Sequence, residues 1–412
     1  MMTRPNGVSR FQSAMNRKRP FIFSAVAAMV LVVGCAQQPE RGLPVGTSQP
    51  APSPWALATS TMRWNEYACE LIARNQVGQF PASRVLAYVN LSINNAIVLA
   101  RQQGRKTDGA AAGAAAMTLI YLFPKDEQAI TGRLTGETAA LGTDGNQAEF
   151  AAGVAIGRAA AAEVIAAAKT DRSDLAWSGT APTGVDKWSS RFQPARPPLG
   201  PRLGEMRPFF LTDGADFRAP APPSYDSSAF RDAVREVRTI SDHRTNEQMR
   251  IAQYWETLSG SFSAGLWNDV ARGVISSHGL GEAESARILA LVHMAAVDGT
   301  IACHDSKYAY WVPRPTQVDP EIRLAIAVPN HPSYPSNHAC ISGTIGLVLD
   351  AQFPDQSGRY FAMARQAGES RIYGGIHYRI DIDEGFIIAR KVSARALEQG
   401  VPVDRPFVPV GH

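Results

Sequence analysis

Alanine-rich segments without proline constrain the fold of this chain more than any other feature of its sequence. Residues 110–122 and 147–169 are dense in alanine, the residue with the highest helix propensity. In residues 281–307, apolar side chains recur at steps of three and four, the repeat of an α-helix with one buried face. No alternating apolar and polar run is long enough for a sheet. The sequence therefore predicts an all-α fold, with helices at 64–104, 110–122, 147–169, 226–238, 246–258 and 281–307.

Proline and glycine divide the chain into parts. Residues 36–54 are rich in Pro, Gly, Ser and Gln and have no apolar period, which is typical of a flexible tether. With 45% hydrophobic residues overall, residues 55–400 suit a single all-α domain. Prolines crowd within residues 181–224 too densely for a helix. We therefore expect an ordered Pro-rich loop between N-terminal helices at 55–180 and a second helical part at 225–400.

Residues 1–35 have the layout of an export signal. A basic cluster at 17–19 precedes an apolar run at 21–33, which is too short to span a bilayer core of about 30 Å. The run ends at Gly34-Cys35, an ending that resembles the lipobox of bacterial lipoproteins, whose cysteine is lipidated. We therefore expect a lipoprotein signal peptide, an anchor at Cys35 and a location on the periplasmic side of a bacterial envelope. The alternative is an ordinary signal peptide with an incidental cysteine.

The distribution of charge argues against a nucleic-acid partner. The formal net charge is +4, but residues 1–35 hold five basic and no acidic residues, which leaves 36 Lys and Arg against 37 Asp and Glu. A balanced folded part has no global field to attract a polyanion. A Gly-rich phosphate loop of the G-x4-G-K-[ST] type is also absent from the sequence.

Three blocks near the C-terminus concentrate histidine and fixed positive charge. Residues 307–315 read K-x6-R-P, residues 335–338 read P-S-N-H, and residues 370–381 read S-R-x5-H-x3-D. The intervals between them are 19 and 31 residues. A single histidine or arginine is usually structural or solvated, so the prediction of a functional site depends on the pattern. Imidazoles clustered with cations indicate an oxyanion site.

The blocks resemble the tripartite signature of the type 2 phosphatidic acid phosphatase superfamily, which also includes bacterial acid phosphatases and vanadium-dependent haloperoxidases. The resemblance covers roughly residues 55–397 and is to the haloperoxidase-like branch, which implies a helical bundle with the anion site in its core. It implies that His377 is the nucleophile that forms a phosphohistidine, or the ligand to vanadium. It implies that His338 is the general acid. The residues that would bind the oxyanion are Lys307, Arg314, Ser336, Asn337 through its backbone amide, and Arg371.

Physical reasoning from the residues agrees with these roles. We expect Ser336 to cap the helix that follows, so that free N–H groups of its first turn face the anion. Two arginines can bind oxygens in bidentate fashion, whereas Lys307 supplies a point charge. His377 and Asp381 are four residues apart. If a helix runs through both, Asp381 holds the imidazole in one tautomer.

Three positions depart from the family pattern. Asn337 replaces the usual glycine, so its side chain either donates to the anion or narrows the pocket. His304 and His331 stand where fungal chloroperoxidases have Trp and Phe, although bromoperoxidases carry a histidine at the second position. Two histidines make this pocket wall polar, which favours a phosphoester oxygen over a halide.

These observations leave two enzymatic functions and one binding function. The leading hypothesis is a phosphoester hydrolase, an acid phosphatase that uses neither cofactor nor metal and acts on a small phosphoester. The alternative is a vanadium-dependent haloperoxidase, which oxidises bromide with hydrogen peroxide and holds vanadate at His377. A phosphate-binding lipoprotein is disfavoured because binding alone does not need both histidines. The sequence does not determine the oligomeric state.

Cysteine usage permits one disulfide at most. If Cys35 is lipidated, Cys69, Cys303 and Cys340 remain. Cys303 and Cys340 lie in two segments that should converge, next to the first two blocks, so they form the best pair, although the sequence does not establish a bond.

Overall fold

The computed structural model describes residues 59–141, 145–257 and 262–410, except the side chains of 257 and 262–264. These residues all belong to one compact unit, Thr47–His412. The signal peptide, the tether and the lipidation site at Cys35 lie outside the described residues.

The described ranges contain helices and no strand, so the predicted all-α fold is confirmed. The predicted run at 64–104 is two helices, and Pro81 lies in the first turn of the second, where its missing N–H costs no helical bond. The helices are α1 Ser60–Arg74, α2 Gln79–Gln102, α3 Thr107–Leu122, α4 Glu127–Ala139, α5 Asn146–Ala168, α6 Ser228–Asp242, α7 Asn246–Thr257, α8 Phe262–Ser277, α9 Glu282–Tyr310, α10 Pro315–Val318, α11 Asn337–Gln352, α12 Arg359–Tyr373 and α13 Arg379–Gln399.

The centre of the fold is α9, which packs against α2 on the N-terminal side and against α11 and α13 on the C-terminal side. Two helical segments, Asn146–Ala168 and Glu282–Val318, are long and apolar enough to cross a membrane. In the second, 94% of the apolar window is buried within the protein, as suits a core helix surrounded by others. The C-terminal end of α9 carries Lys307, where the first motif block begins.

Glycines bring α3 and α5 into backbone contact. A Cβ added at Gly113 would lie 2.5 Å from the carbonyl oxygen of Val154, and one added at Gly157 would lie 2.2 Å from that of Ala110. Both distances are shorter than any real Cβ contact, so the two helix axes could not approach this closely with larger residues. The alanines of both helices fill the remainder of this narrow interface.

The substitution Gly113→Ala is expected to destabilise the protein by about 1–3 kcal/mol, because the added methyl group forces two backbones apart. Gly132→Ala in α4 is the matched control, since nothing lies within 4 Å of a Cβ at that position. The control should leave stability unchanged or raise it by up to about 1 kcal/mol through helix propensity. Urea unfolding followed by circular dichroism measures both. Equal stability of the two variants would contradict the close packing of α3 on α5.

The Pro-rich segment at 181–224 is held against α9 and the second motif block, with short 3₁₀ turns at Leu203–Glu205 and Gly214–Phe217. Asp298 of α9 accepts hydrogen bonds from the backbone N–H groups of Phe209 and Phe210 at 2.8 and 2.7 Å. Burial raises the pKa of Asp298 to about 7. Further along, the N–H of Leu199 donates to the carbonyl of Asn330 at 2.8 Å.

Cys303 and Cys340 are free thiols in this structure, so the pairing considered from the sequence is not formed. Both are buried, on α9 and α11 respectively. The thiol of Cys303 donates to the carbonyl of Pro335 at 3.8 Å.

Candidate active site

The three motif blocks converge at one place in the core. The C-terminal end of α9, the loop before α11, the first turn of α11 and the connection between α12 and α13 meet there. All the residues predicted for the site are buried, with side chains between 0 and 8% exposed: His304, Lys307, Arg314, His331, Ser336, Asn337, His338, Arg371, His377 and Asp381.

His377 and Asp381 form a hydrogen-bonded pair, but not on one helix face. His377 lies in the loop before α13, and Asp381 is in the first turn of that helix. A helix does not run through both residues, so the one-face arrangement considered from the sequence does not apply. The carboxylate of Asp381 accepts a bond from His377 Nδ1 at 2.7 Å and another from the Tyr378 N–H at 3.1 Å. The turn that begins α13 therefore brings the two side chains together.

This pair fixes the tautomer of His377. Its Nδ1–H donates to Asp381, so Nε2 is the acceptor, and it lies 3.0 Å from the donating Nη1 of Arg314. Burial, with the charges of Arg314 and Lys307, holds the pKa of His377 well below its usual range. Burial also raises the pKa of Asp381 to about 6, against the opposing bond from Ser333. At neutral pH, Nε2 of His377 carries no proton, while its Nδ1–H is bound to the ionised carboxylate of Asp381.

Arg314 connects the motif blocks. Its Nη1 also donates to the carbonyl of Ile376 at 2.7 Å, and its Nε donates to the carbonyl of His331 at 3.0 Å. Its Nη2 lies 3.1 Å from His331 Nδ1. Burial lowers the pKa of Arg314 to about 10, so the guanidinium stays charged at neutral pH.

Lys307 shapes the loop before α11. Its ammonium group donates to the carbonyls of Pro332 and Ser333 at 3.1 and 2.8 Å, and also to that of Pro335. Burial lowers its pKa to about 8. The three donors of the ammonium group are thus occupied by the loop, and Lys307 contributes a buried positive charge beside the predicted anion site.

Arg371 is bound by residues of α7 and by the neighbouring Ser370. Its guanidinium donates to Glu256 at 2.9 Å, to the carbonyl of Ala252 at 3.2 Å and to the hydroxyl of Ser370 at 2.9 Å. Two of these acceptors belong to α7. Glu256 neutralises this arginine, so Lys307 and Arg314 supply the unpaired positive charge of the site.

The N-terminus of α11 presents the groups that fit a tetrahedral oxyanion. Ser336 is the N-cap, as predicted, but its hydroxyl makes no capping bond. Ser336 Oγ, Asn337 Nδ2 and His338 Nε2 are all buried without a partner among the described residues. A helix N-terminus adds unpaired N–H groups and a partial positive charge. Phosphate or vanadate, both tetrahedral oxyanions of similar shape, would accept hydrogen bonds from Ser336 Oγ, Asn337 Nδ2 and the helix N–H groups, and from His338 Nε2 once its ring is protonated.

His338 is held by α7 and is neutral in the absence of an anion. Its ring hydrogen-bonds to the backbone of Trp255. Burial, together with the charge of Arg371, holds its pKa well below the usual range. A bound anion next to Nε2 supplies the negative charge that favours the protonated ring.

Sequence reasoning missed several residues that position this site. Ser333 donates to Asp381 Oδ2 at 2.5 Å, Glu256 holds Arg371, and Phe80 of α2 packs edge-on against His304 with 4.4 Å between ring centroids. Ser333 lies three residues before Ser336, between the first and second motif blocks. This position is the one feature of the sequence that could have indicated its place at the site. Glu256 and Phe80 are distant in sequence and stand in helices without motif patterns.

Comparisons with known proteins agree with this arrangement. Residues 287–399, which contain all three motif blocks, match the model of the PAP2 superfamily. A bacterial vanadium-dependent iodoperoxidase superposes with a TM-score of 0.71 at 20% identity, covering 82% of this chain and 95% of that one. A bacterial vanadium-dependent chloroperoxidase superposes with a TM-score of 0.61 in its apo form (16% identity, 77% of this chain, 92% of that one). The holo form of a bacterial vanadium-dependent chloroperoxidase gives 0.61 (15% identity, 84% and 93%). No curated protein matches the chain by sequence. The predicted fold is confirmed, and the match of residues 287–399 to the PAP2 superfamily model agrees with the resemblance that the motif blocks carry.

Proposed function

We propose that this protein hydrolyses phosphomonoesters through a phosphohistidine at His377. The observation that carries the proposal is the fixed tautomer of this residue. Asp381 holds Nδ1–H at 2.7 Å, so the lone pair of Nε2 is free of a proton and faces Arg314 Nη1 at 3.0 Å. An unprotonated, oriented imidazole is the nucleophile that phosphoryl transfer requires.

In the first step, Nε2 of His377 bonds to phosphorus and the ester P–O bond breaks. The leaving oxygen takes a proton from His338 Nε2. Arg314, the charge of Lys307 and the first turn of α11 stabilise the equatorial oxygens, where negative charge concentrates. Asp381 stabilises the positive charge that forms on the imidazole of His377.

In the second step, water attacks phosphorus and the P–N bond breaks. His338, left neutral by the first step, takes the proton from this water and is ready for the next cycle. Phosphate leaves and His377 regains its free Nε2. Both proton transfers pass through one residue, because the leaving oxygen and the attacking water occupy the same side of phosphorus.

A second candidate function is a vanadium-dependent haloperoxidase. The fold likeness to bacterial iodo- and chloroperoxidases favours it. The unpartnered donors of Ser336, Asn337 and His338 fit vanadate as well as phosphate, with Nε2 of His377 as its ligand. Bound vanadate would supply activation of hydrogen peroxide. Under this function Arg314 and Ser336 would bind the anion, and His338 would hold or transfer a proton at its Nε2.

The polar wall of the pocket favours hydrolysis over halide oxidation. His304 and His331 are both buried, with ring centroids 6.2 Å apart, beside Arg314 and Lys307. Because Arg314 donates to its Nδ1, His331 carries its proton on Nε2 and can donate a hydrogen bond to an oxygen atom of an ester. An apolar wall would instead leave a halide poorly solvated and more readily oxidised.

Vanadate separates the two functions by the sign of its effect. We expect hydrolysis of p-nitrophenyl phosphate to be inhibited by micromolar vanadate, since transition-state analogues bind about 10²–10⁸-fold more tightly than substrates. A haloperoxidase would instead gain bromide oxidation on addition of vanadate and lose it as phosphate competes. Initial rates of both reactions, measured on one preparation freed of vanadate, provide the test. Vanadate-dependent bromination without ester hydrolysis would establish the second candidate.

We further propose that the protein is an exported lipoprotein anchored through Cys35 on the periplasmic side of the envelope. Wild type expressed in bacteria should incorporate a clickable fatty acid and fractionate with membranes. Cys35→Ala should lose the label, whereas Cys69→Ala should keep it. Equal labelling of Cys35→Ala and wild type would refute the anchor.

A further inference from the structure

His304 has a buried ring nitrogen that no described residue satisfies. Its Nδ1–H donates to the carbonyl of Thr300 at 2.9 Å, within α9. Its Nε2 is buried and has no hydrogen-bond partner in the described part of the chain. Because the ring proton is on Nδ1, Nε2 can only accept a hydrogen bond. A buried acceptor of this kind calls for a donor from a bound molecule.

Aromatic rings and the backbone of the Pro-rich segment lie around the His304 ring. Phe80 covers it edge-on at 4.4 Å, and Tyr308 lies at 6.3 Å with its ring tilted by 28°. The backbone of Gly200 covers a third side, because a Cβ there would lie 3.3 Å from His304 Cδ2. Nε2 is at the end of the ring that is farthest from α9. The ring centroid of His331 lies 6.2 Å from that of His304, and no hydrogen bond joins the two rings in the described residues.

The two histidines have opposite hydrogen-bonding capacities. Nδ1 of His331 lies 3.1 Å from both Arg314 Nη2 and the carbonyl of Pro332. A guanidinium can only donate, so Nδ1 of His331 accepts and its ring proton is on Nε2. Burial and the charge of Lys307 lower the pKa of His304 to about 3, so it stays a neutral acceptor at physiological pH. His304 therefore accepts where His331 donates.

The guanidinium of Arg314 places these histidines next to the reacting phosphorus. Its Nη1 lies 3.0 Å from His377 Nε2, and its Nη2 lies 3.1 Å from His331 Nδ1. The planar guanidinium of Arg314 thus lies between His377, the nucleophile, and His331 of the polar wall. A functional group bound at this wall is a short distance from the ester oxygen.

We propose that His304 Nε2 and His331 Nε2–H form a hydroxyl-binding subsite for the organic group of the substrate. A hydroxyl both donates and accepts, whereas a halide only accepts and an alkyl group does neither. This inference rests on the proposed hydrolase function and narrows its substrates. The preferred substrate is a phosphomonoester with a hydroxyl on the carbon next to the ester carbon, as in a polyol phosphate.

The test compares 2-hydroxyethyl phosphate with propyl phosphate, in which a methyl group replaces the hydroxyl. Wild type should prefer the hydroxyl ester in kcat/KM by at least about tenfold, since a site built for a hydroxyl leaves its own polar groups unpaired with the analogue. His304→Asn keeps an amide near Nδ1 and removes the acceptor at Nε2, so its preference should fall to about one. His304→Gln brings an amide oxygen near the Nε2 position and should retain a preference. His278→Asn, at an exposed histidine bound to Asp355, is the control that should behave as wild type.

Binding of two phosphonates provides a readout that does not require turnover. Calorimetry with (3-hydroxypropyl)phosphonate and butylphosphonate, in which CH2 replaces the ester oxygen of the two substrates, should show the same preference in wild type and its loss in His304→Asn. If neither ester is hydrolysed but this binding preference is present, the subsite stands and the hydrolase proposal fails. If both esters are hydrolysed with equal kcat/KM, the subsite inference is overturned and the hydrolase proposal stands. Equal or absent binding of the two phosphonates also overturns the subsite.

Discussion

Replacing His377 by alanine is expected to lower kcat/KM for phosphomonoesters by several orders of magnitude, because it removes the atom that bonds to phosphorus. Each factor of ten corresponds to about 1.4 kcal/mol of lost transition-state stabilisation. His377→Asn is the matched variant, since its amide nitrogen can replace Nδ1 as the donor to Asp381 but supplies nothing at Nε2. It should lose as much activity as the alanine variant. Steady-state kinetics with p-nitrophenyl phosphate measures both losses.

Two controls distinguish loss of the nucleophile from loss of the fold. Thermal unfolding of His377→Asn should stay close to that of wild type, because the bond to Asp381 is preserved. Rapid quenching of wild type with labelled substrate should trap an acid-labile, base-stable phosphoenzyme that both variants lack. More than a tenth of wild-type activity in His377→Ala would refute its role as nucleophile.

Removal of His338 should have an effect that depends on the leaving group. His338→Ala is expected to lower kcat/KM, which reports the first step alone, for an alkyl phosphate by about 10²–10⁴-fold, the usual contribution of a general acid. The loss should be much smaller for p-nitrophenyl phosphate, because p-nitrophenolate leaves without a proton. The ratio of the two losses, measured on one preparation, is the signature of proton donation.

His243 offers a control for the His338 experiment, since it is exposed and bonded only locally to the carbonyl of Thr239. His243→Ala should retain wild-type rates on both substrates. Equal losses on both substrates in His338→Ala would argue that this residue holds the structure of α11 and does not donate a proton.

Most of the fold could be predicted from the sequence because helix formation is local. Alanine content and the three-to-four repeat predicted segments close to α3, α5 and α9, and proline density predicted the absence of long helices at 181–224. The contact of α3 with α5 could not be predicted. It depends on Gly113 and Gly157 meeting across two helices, and glycine in a helix has no local signature of such a contact.

The site was predicted less completely than the fold. The three blocks identified the residues that converge, and Ser336 is the N-cap as expected. The pairing of His377 with Asp381 is present, yet a loop and the first turn of α13 produce it. Arg371 was expected at the anion, and the structure shows in addition that its guanidinium binds Glu256, which is 115 residues away. Nothing in the sequence around Arg371 or Glu256 indicates that the two side chains form an ion pair.

The sequence by itself determined which segments are helical, which superfamily the motifs indicate and which side chains gather at the site. These properties depend on short-range backbone preferences and on residue types at fixed spacing. Only the tertiary structure decided the protonation and partners of those side chains. Burial lowers the pKa values of Lys307 and His304, and Asp381 fixes the free nitrogen of His377. Desolvation and hydrogen bonding depend on which distant segments pack together, and for that reason they appear only when the chain is folded.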